Sequence, residues 1–331
     1  MKTNKYIIIL VCMLCCILVP SCEIHEFPAP KPKEMQFVLN LEYDTELPLY
    51  KVVEYNDDAA TKSAGQEYDV RYVVNVYDAA DEDSREVIKS FVFTKDEISE
   101  LDNSVTLMLL KGNYRFIVWT DYVLQGSVED LHYDTSRFEY LSLACDEHHG
   151  SDDMRDAFTG SVTAEVSAEN TQADVQMSRP MAKFNFISTD LQDFVARVKM
   201  NASNPTKSVE VGDYKVIFRY NGFMPCAYNQ HTSKPTDSAT GVFFESSITQ
   251  LNDAEAEMGF DYVFTNGSET VVSVSVEVYD LDGKMLSRSK AFDVPLMRSK
   301  LTTVKARFLT SDASGGVVVD PGYNGDHNLV N

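Results

Sequence analysis

His148, His149, Asp152, Asp153 and Asp156 crowd one short stretch and offer imidazole nitrogen and carboxylate oxygen, the donors a divalent cation takes. The stretch has no cysteine partner and no Asp-x-Asp-x-Asp-Gly frame, so a polar loop is the expected reading and no metal or cofactor is expected. Asp280-Leu281-Asp282-Gly283 resembles half of a calcium loop, yet no Glu follows at the bidentate position and the glycine suits a hairpin. Paired carboxylates facing across a cleft would serve glycoside hydrolysis, but 51 acidic residues always supply some such pair, so abundance identifies none. Gly-x-Ser-x-Gly, His-Glu-x-x-His and Walker patterns do not occur, and the chain is read as a non-enzyme without catalytic residues. Trp119, with Tyr122, Tyr133 and Tyr140, has the ring faces on which sugars stack. Trp119 also ends an apolar strand pattern, so a glycan platform at Trp119 and Tyr122 stands beside an ordinary core role.

The chemistry most clearly written in the chain is that of Cys22. Lys2 and Lys5 precede the unbroken apolar run Ile7 to Val19, which falls short of the roughly 20 residues a membrane-spanning helix needs. Residues 1–21 therefore read as a secretory leader. Leu18-Val19-Pro20-Ser21-Cys22 has the form of a bacterial lipobox, with Pro20 as its departure; cleavage before Cys22 frees the amine, and the thiol takes a diacylglycerol. Several acyl chains, at about 0.8 kcal/mol per buried CH2, make such a tether permanent. Cys12, Cys15 and Cys16 leave with the leader, so six cysteines reduce to Cys22, Cys145 and Cys226. Cys145 and Cys226 cannot build a metal site alone; separate buried thiols are expected, with a disulfide as the alternative.

Charge narrows the partners. The 331-residue chain carries a formal charge of −22, and loss of Lys2 and Lys5 with the leader makes it more negative still. Such a surface repels phosphate backbones and anionic lipid, which excludes nucleic acid as a partner and leaves the lipid anchor as the only membrane attachment. Hydrophobic residues at 44%, with 18 Phe and 17 Tyr, exclude a disordered chain.

The elements that position these residues read as strands. Residues 22–34 carry Pro28, Pro30 and Pro32 and form an extended tether reaching on the order of 30 to 40 Å. Phe37, Leu39, Leu41 and Tyr43 then alternate with Gln36, Val38, Asn40 and Glu42, and 56–67 is a polar loop. Val70, Tyr72, Val74 and Val76 share one face of the next strand. Phe91 to Phe93, Val105 to Leu110, Tyr114 to Trp119, Arg137 to Leu143, Ala157 to Val166 and Ala173 to Met177 continue the series, with Gly112-Asn113 expected to form a tight hairpin. A boundary is placed at Ser178-Arg179-Pro180. Beyond it, Asp190 to Met200 is the one helix, with Leu191, Phe194, Val195 and Val198 at i, i+3, i+4 and i+7 and Thr189 or Asp190 as N-cap. Asn221-Gly222 and Asp282-Gly283 are read as hairpin turns among strands near 214–220, 223–228, 242–246, 260–264, 271–279, 285–292 and 301–309. Short strands with frequent turns and no crossover helices predict an all-β chain of two tandem antiparallel β-sandwiches, residues 35–178 and 179–331, the second ending in a glycine-punctuated tail.

Cys22-Glu23-Ile24-His25-Glu26, Gly112-Asn113-Tyr114-Arg115-Phe116-Ile117-Val118-Trp119-Thr120-Asp121, Arg179-Pro180-Met181-Ala182-Lys183-Phe184, Gly315-Gly316 and Asp320-Pro321-Gly322 follow one another along the chain. In that order the whole mature chain resembles the fimbrillin-like lipoproteins of Bacteroidales, a group that includes fimbrial minor and anchor subunits. The resemblance implies transthyretin-like sandwiches, a lipid-anchored place on the outer membrane at the cell surface, and other fimbrial subunits or surface proteins as partners, joined by addition of a β-strand. Structural subunits of that group are cut after a basic residue beyond the first strand, and Lys62 is the nearest such position here. An anchor that stays uncut keeps its link to Cys22. Val317 to Val319 is either a donor segment or an ordinary last strand. The expected role is a structural or anchoring component of fimbria-like assemblies, with a surface glycan-binding lipoprotein as the alternative.

Overall fold

The computed structural model describes residues 32–44, 68–81, 83–95, 104–143, 148–201, 208–267, 269–310, 318–320 and 327–330. Cys22, Lys62 and Cys145 lie outside them. The first lobe opens with β1 (Met35–Tyr43), β2 (Tyr68–Asp78), β3 (Lys89–Lys95), β4 (Ser104–Leu109) and β5 (Gly112–Leu124). Short strands β6 (Tyr133–Asp134) and β7 (Leu141–Leu143) follow, then β8 (Phe158–Val166) and β9 (Gln172–Met177). Two sheets result, ordered β4-β1-β9 and β3-β2-β5-β8. Period-two alternation sends Phe37, Leu39 and Leu41 of β1 and Val70, Tyr72, Val74 and Val76 of β2 into the core between them.

The second lobe runs β10 (Met181–Ser188), helix α1 (Leu191–Asn201), β11 (Lys215–Tyr220), β12 (Met224–Asn229), β13 (Lys234–Ala239), β14 (Phe243–Ser247), β15 (Thr249–Gln250) and β16 (Ala256–Phe264). It continues through β17 (Thr270–Tyr279), β18 (Met285–Arg288), β19 (Phe292–Leu296) and β20 (Leu301–Ala306) to β21 (Val318–Asp320) and β22 (His327–Val330). One sheet is ordered β15-β16-β10-β20-β22-β21; the other is β14-β11-β17-β18, with β19 also on β17. Strands β1, β2, β3, β4, β5, β8 and β9 correspond in order, partner and direction to β10, β11, β14, β16, β17, β19 and β20. The sandwich is built twice. Neither copy is wholly antiparallel, because β1 pairs with β9, and β10 with β20, in parallel.

Two of the departures from that repeat are pairs of inserted strands, and these meet. β6 and β7, inserted in the first lobe, and β12 and β13, inserted in the second, form one four-stranded sheet ordered β13-β12-β7-β6. Beneath it lies a third apolar cluster. It joins Val73, Tyr77, Ile117 and Trp119 from the outward faces of β2 and β5 to Tyr133, Phe138, Tyr228, Tyr262 and Phe264. Residues 35–331 thereby form one compact unit.

Two expected hairpins are corrected. Gly112 and Asn113 already pair with Val166 and Glu165 inside β5, while β4 pairs with β1, so the chain crosses from one sheet to the other before Gly112. Asn221-Gly222 likewise links β11 to β12 in a different sheet. Its asparagine is fastened to β17, with the backbone N–H donating to Ser273 O at 2.8 Å and Nδ2 to Ser275 Oγ at 3.1 Å. Asp282-Gly283 does turn β17 into β18, with Gly283 at φ 75° and the Asp280 carboxylate accepting from the N–H groups of Asp282 and Lys284. The strand expected from Arg137 shrinks to Leu141–Leu143, because the Tyr140 N–H donates to Arg137 O in a turn.

Helix α1 buries Leu191 and Phe194 as its spacing requires. The Asp190 carbonyl accepts its first bond, from the Phe194 N–H at 3.0 Å, so Asp190 is the N-cap position. The Asp190 carboxylate, however, accepts from the Thr310 N–H at 2.8 Å and so ties the end of the second sandwich to the helix start.

Candidate functional site

Residues 148–156 sit where the lobes meet, and the sequence cluster there disperses. Asp152 accepts from the Met154 N–H at 2.9 Å and caps the 3-10 turn Asp153–Arg155. Asp153 accepts from Lys183 Nζ at 2.7 Å. Asp156 grips Arg179 two-pronged, from Nε to Oδ1 at 2.8 Å and from Nη2 to Oδ2 at 2.9 Å, while that guanidinium lies 4.5 Å from the centre of the Phe158 ring. His149 is exposed, and its carbonyl accepts from Arg155 Nη1 at 2.8 Å. Among the described residues no group of three or more His, Cys, Asp or Glu side chains converges as a metal would require.

One node draws several of these elements together. Asp261, on β16 and 1% exposed, accepts from Arg155 Nη1, from the Tyr220 hydroxyl at 2.6 Å and from the Tyr262 N–H at 2.7 Å. His148 Nε2 lies 2.6 Å from Asp261 Oδ2. Burial pushes the Asp261 carboxyl upward, but Arg155 and His148 outweigh it and hold the group below its ordinary range. Burial, reinforced by Asp261, pushes the Tyr220 phenol well above 10. The node is an interior charge network that joins the 148–156 segment to β11 and β16. Sequence reasoning named His148 but missed Asp261, Arg155 and Tyr220. Partners 106 and 113 positions apart leave no local pattern to find.

The glycan platform is corrected. Trp119 is fully buried and Tyr122 is 6% exposed, so neither ring offers a face to a sugar. Trp119 packs edge-on against Tyr133 at 5.2 Å, in the cluster between the lobes. Tyr140 donates to Asp237 Oδ2 at 2.6 Å with Arg137 over its ring. Cys226 is free and partly buried, and burial followed by Asp237 pushes its thiol up.

In front of the node lies a cleft of about 740 Å³. Four elements supply its walls: the end of β7, the start of the 148–156 segment, β12, and the turn from β13 into β14. Met224 and Phe244 are buried along it, whereas Thr240, Phe243 and Glu245 are exposed at its rim.

These observations define an all-β protein of two serial sandwiches welded by a shared inserted sheet, with an open cleft beside the weld. A family model described as a family of unknown function (DUF6562) matches residues 30–330, and the chain belongs to that family. A search of curated proteins finds no match. Among solved structures, the fimbrial anchor protein Mfa2 from Porphyromonas gingivalis is 13% identical, with 77% of this chain and 81% of that chain covered and a TM-score of 0.41. A fimbrial assembly protein from Parabacteroides distasonis is 11% identical, with 86% and 94% covered and a TM-score of 0.39. A candidate polysaccharide-binding protein from Bacteroides thetaiotaomicron is 11% identical, with 76% and 79% covered and a TM-score of 0.43. At these scores the likeness carries no argument about role. No described helix is long and apolar enough to cross a membrane.

Proposed function

We propose that the chain is a lipid-anchored cell-surface component that holds fimbria-like assemblies to the outer membrane. Its two modules, 35–178 and 179–331, stand off the membrane on the 22–34 tether and join partner subunits by β-strand addition. The observation that carries this reading is the edge of β20, where β22 adds in parallel, from Thr302 against His327 to Lys305 against Val330, and β21 follows. That sheet already accepts a late segment of the chain through backbone pairing, the operation by which one subunit completes another. The interior fate of the ionisable cluster at 148–156 supports a structural role over a catalytic one. In this reading Cys22 carries the lipid, and the bond after Lys62 stays intact so that the body keeps its tether.

The test is affinity purification of the tagged full chain from detergent-solubilised membranes. Fimbrial subunits are expected to copurify, and N-terminal analysis is expected to find no cut at Lys62. A chain recovered always alone and monomeric overturns the proposal.

A further inference from the structure

The geometry points to an acid-released latch between the lobes: protonation of His231 lifts the β12–β13 turn off the first sandwich while the strands of both sandwiches stay folded. The inference does not depend on the fimbrial reading. The turn plugs into the first lobe from outside. The Gln230 N–H donates to Phe138 O at 2.8 Å, and the Gln230 side-chain oxygen accepts from Thr159 Oγ1 on β8. Thr159 stands opposite Trp119 in the pairing of β8 with β5, so the turn lies beside the cluster that joins the lobes. Asn229 shapes the turn, its Oδ1 accepting from the His231 N–H at 2.9 Å and from the Thr232 N–H at 3.1 Å. The His231 ring packs edge-on against Tyr77 of β2, 4.9 Å between centres.

One proton decides whether that seat holds. Arg115 Nη2 lies 3.4 Å from His231 Nδ1. A guanidinium only donates, so Nδ1 accepts and the neutral ring keeps its proton on Nε2. That Nε2 is buried and has no hydrogen-bond partner among the described residues. A second proton, on Nδ1, turns the acceptor into a donor aimed at a donor and sets a positive ring against a positive guanidinium. Arg115 cannot relieve the clash by losing its own proton. It is also held in place, resting 5.2 Å from the centre of the Tyr77 ring and donating from Nη2 to Ser84 O at 2.8 Å. Burial disfavours the cation most, Arg85 and Arg115 add to it, Glu139 opposes, and the balance lowers His231 to about 4. Once the turn is released the imidazole returns toward its ordinary 6.5, so the unseated form binds the extra proton. The seat is fully favoured above about pH 6.5 and weakens as pH falls toward about 4.

Hydrogen exchange of the full chain in detergent, read by mass spectrometry from pH 7 to pH 4.5 and corrected for the intrinsic effect of pH on exchange, tests the latch. Protection over 228–233 is expected to fall roughly five- to tenfold by pH 5, while β11 and β17 in the second core keep theirs. Trp119 is the one tryptophan of the chain, so its emission is expected to shift to the red over the same range while far-UV circular dichroism holds. His231→Gln keeps a polar side chain that does not titrate; it is expected to abolish the acid response and to leave protection at pH 7 as in the parent. Arg115→Gln removes the facing charge and is expected to move the response to lower pH. The latch is overturned if 228–233 stays protected down to pH 4.5, if β11 and β17 lose protection along with it, or if either variant responds to acid as the parent does.

Discussion

At the scale of single residues, the interior of this protein is held by charges that have left water, and each is held only by its partners. Arg71, 2% exposed, donates to Asp121 from Nε at 2.9 Å and from Nη2 at 2.7 Å, and from Nη1 to Asp130 at 2.8 Å, which pins the acidic loop after β5. Asp261 plays the same part between the lobes. Removing one partner of such a network strands the other, so Asp261→Ala is expected to lower the unfolding free energy by about 3 to 5 kcal/mol, read from the urea midpoint. Histidines add a pH dependence. Burial, aided by Arg155 and His149 and opposed by Asp152, lowers His132 to about 4, and burial with Arg85 and Arg115 lowers His231 to about 4. Both titrate lower folded than unfolded, so the unfolded chain binds the extra protons and stability drains away as pH falls from the ordinary 6.5 toward about 4. Asp121 and Asp156, raised by burial, oppose this loss near the bottom of the window. His132→Gln is expected to remove on the order of 2 to 3 kcal/mol of that dependence when urea midpoints at pH 7 and pH 4 are compared.

At the scale of elements, close approach decides what a position tolerates. Gly160 in β8 lies so near β9 that an added Cβ would stand 2.3 Å from the Gln176 carbonyl oxygen, which is backbone and cannot swing away. Gly160→Ala is therefore expected to cost roughly 1 to 3 kcal/mol, visible as a lower melting temperature. Strands were the most legible part of the sequence, because alternation such as Val70, Tyr72, Val74 and Val76 is imposed by the pleat itself. Turns were legible only as changes of direction. Asn221-Gly222 and Asp282-Gly283 carry the same local signal, yet the first crosses between sheets and the second closes a hairpin. What separates them is the partner each following strand finds, and that partner is encoded elsewhere in the chain. The pairing of β7 with β12 was invisible for the same reason, since it joins insertions from different lobes. So was the cleft, whose walls come from both.

At the scale of the whole molecule, tether and body make separate predictions. Cys22→Ala is expected to move the protein out of the membrane fraction; recovery there at the parent level sinks the lipid anchor. Residues 35–178 expressed alone would uncover Val73, Tyr77, Ile117 and Trp119, so this fragment is expected to bind 1-anilinonaphthalene-8-sulfonate strongly and to aggregate, whereas the full chain does neither. The cluster beneath the inserted sheet also orders events in time. Synthesis delivers the first lobe before Tyr228, Tyr262 and Phe264 exist, so the nascent chain carries a greasy, unfinished flank until its later half arrives. Docking of the second lobe is the step that takes this flank out of water, so the two lobes finish folding together rather than one after the other.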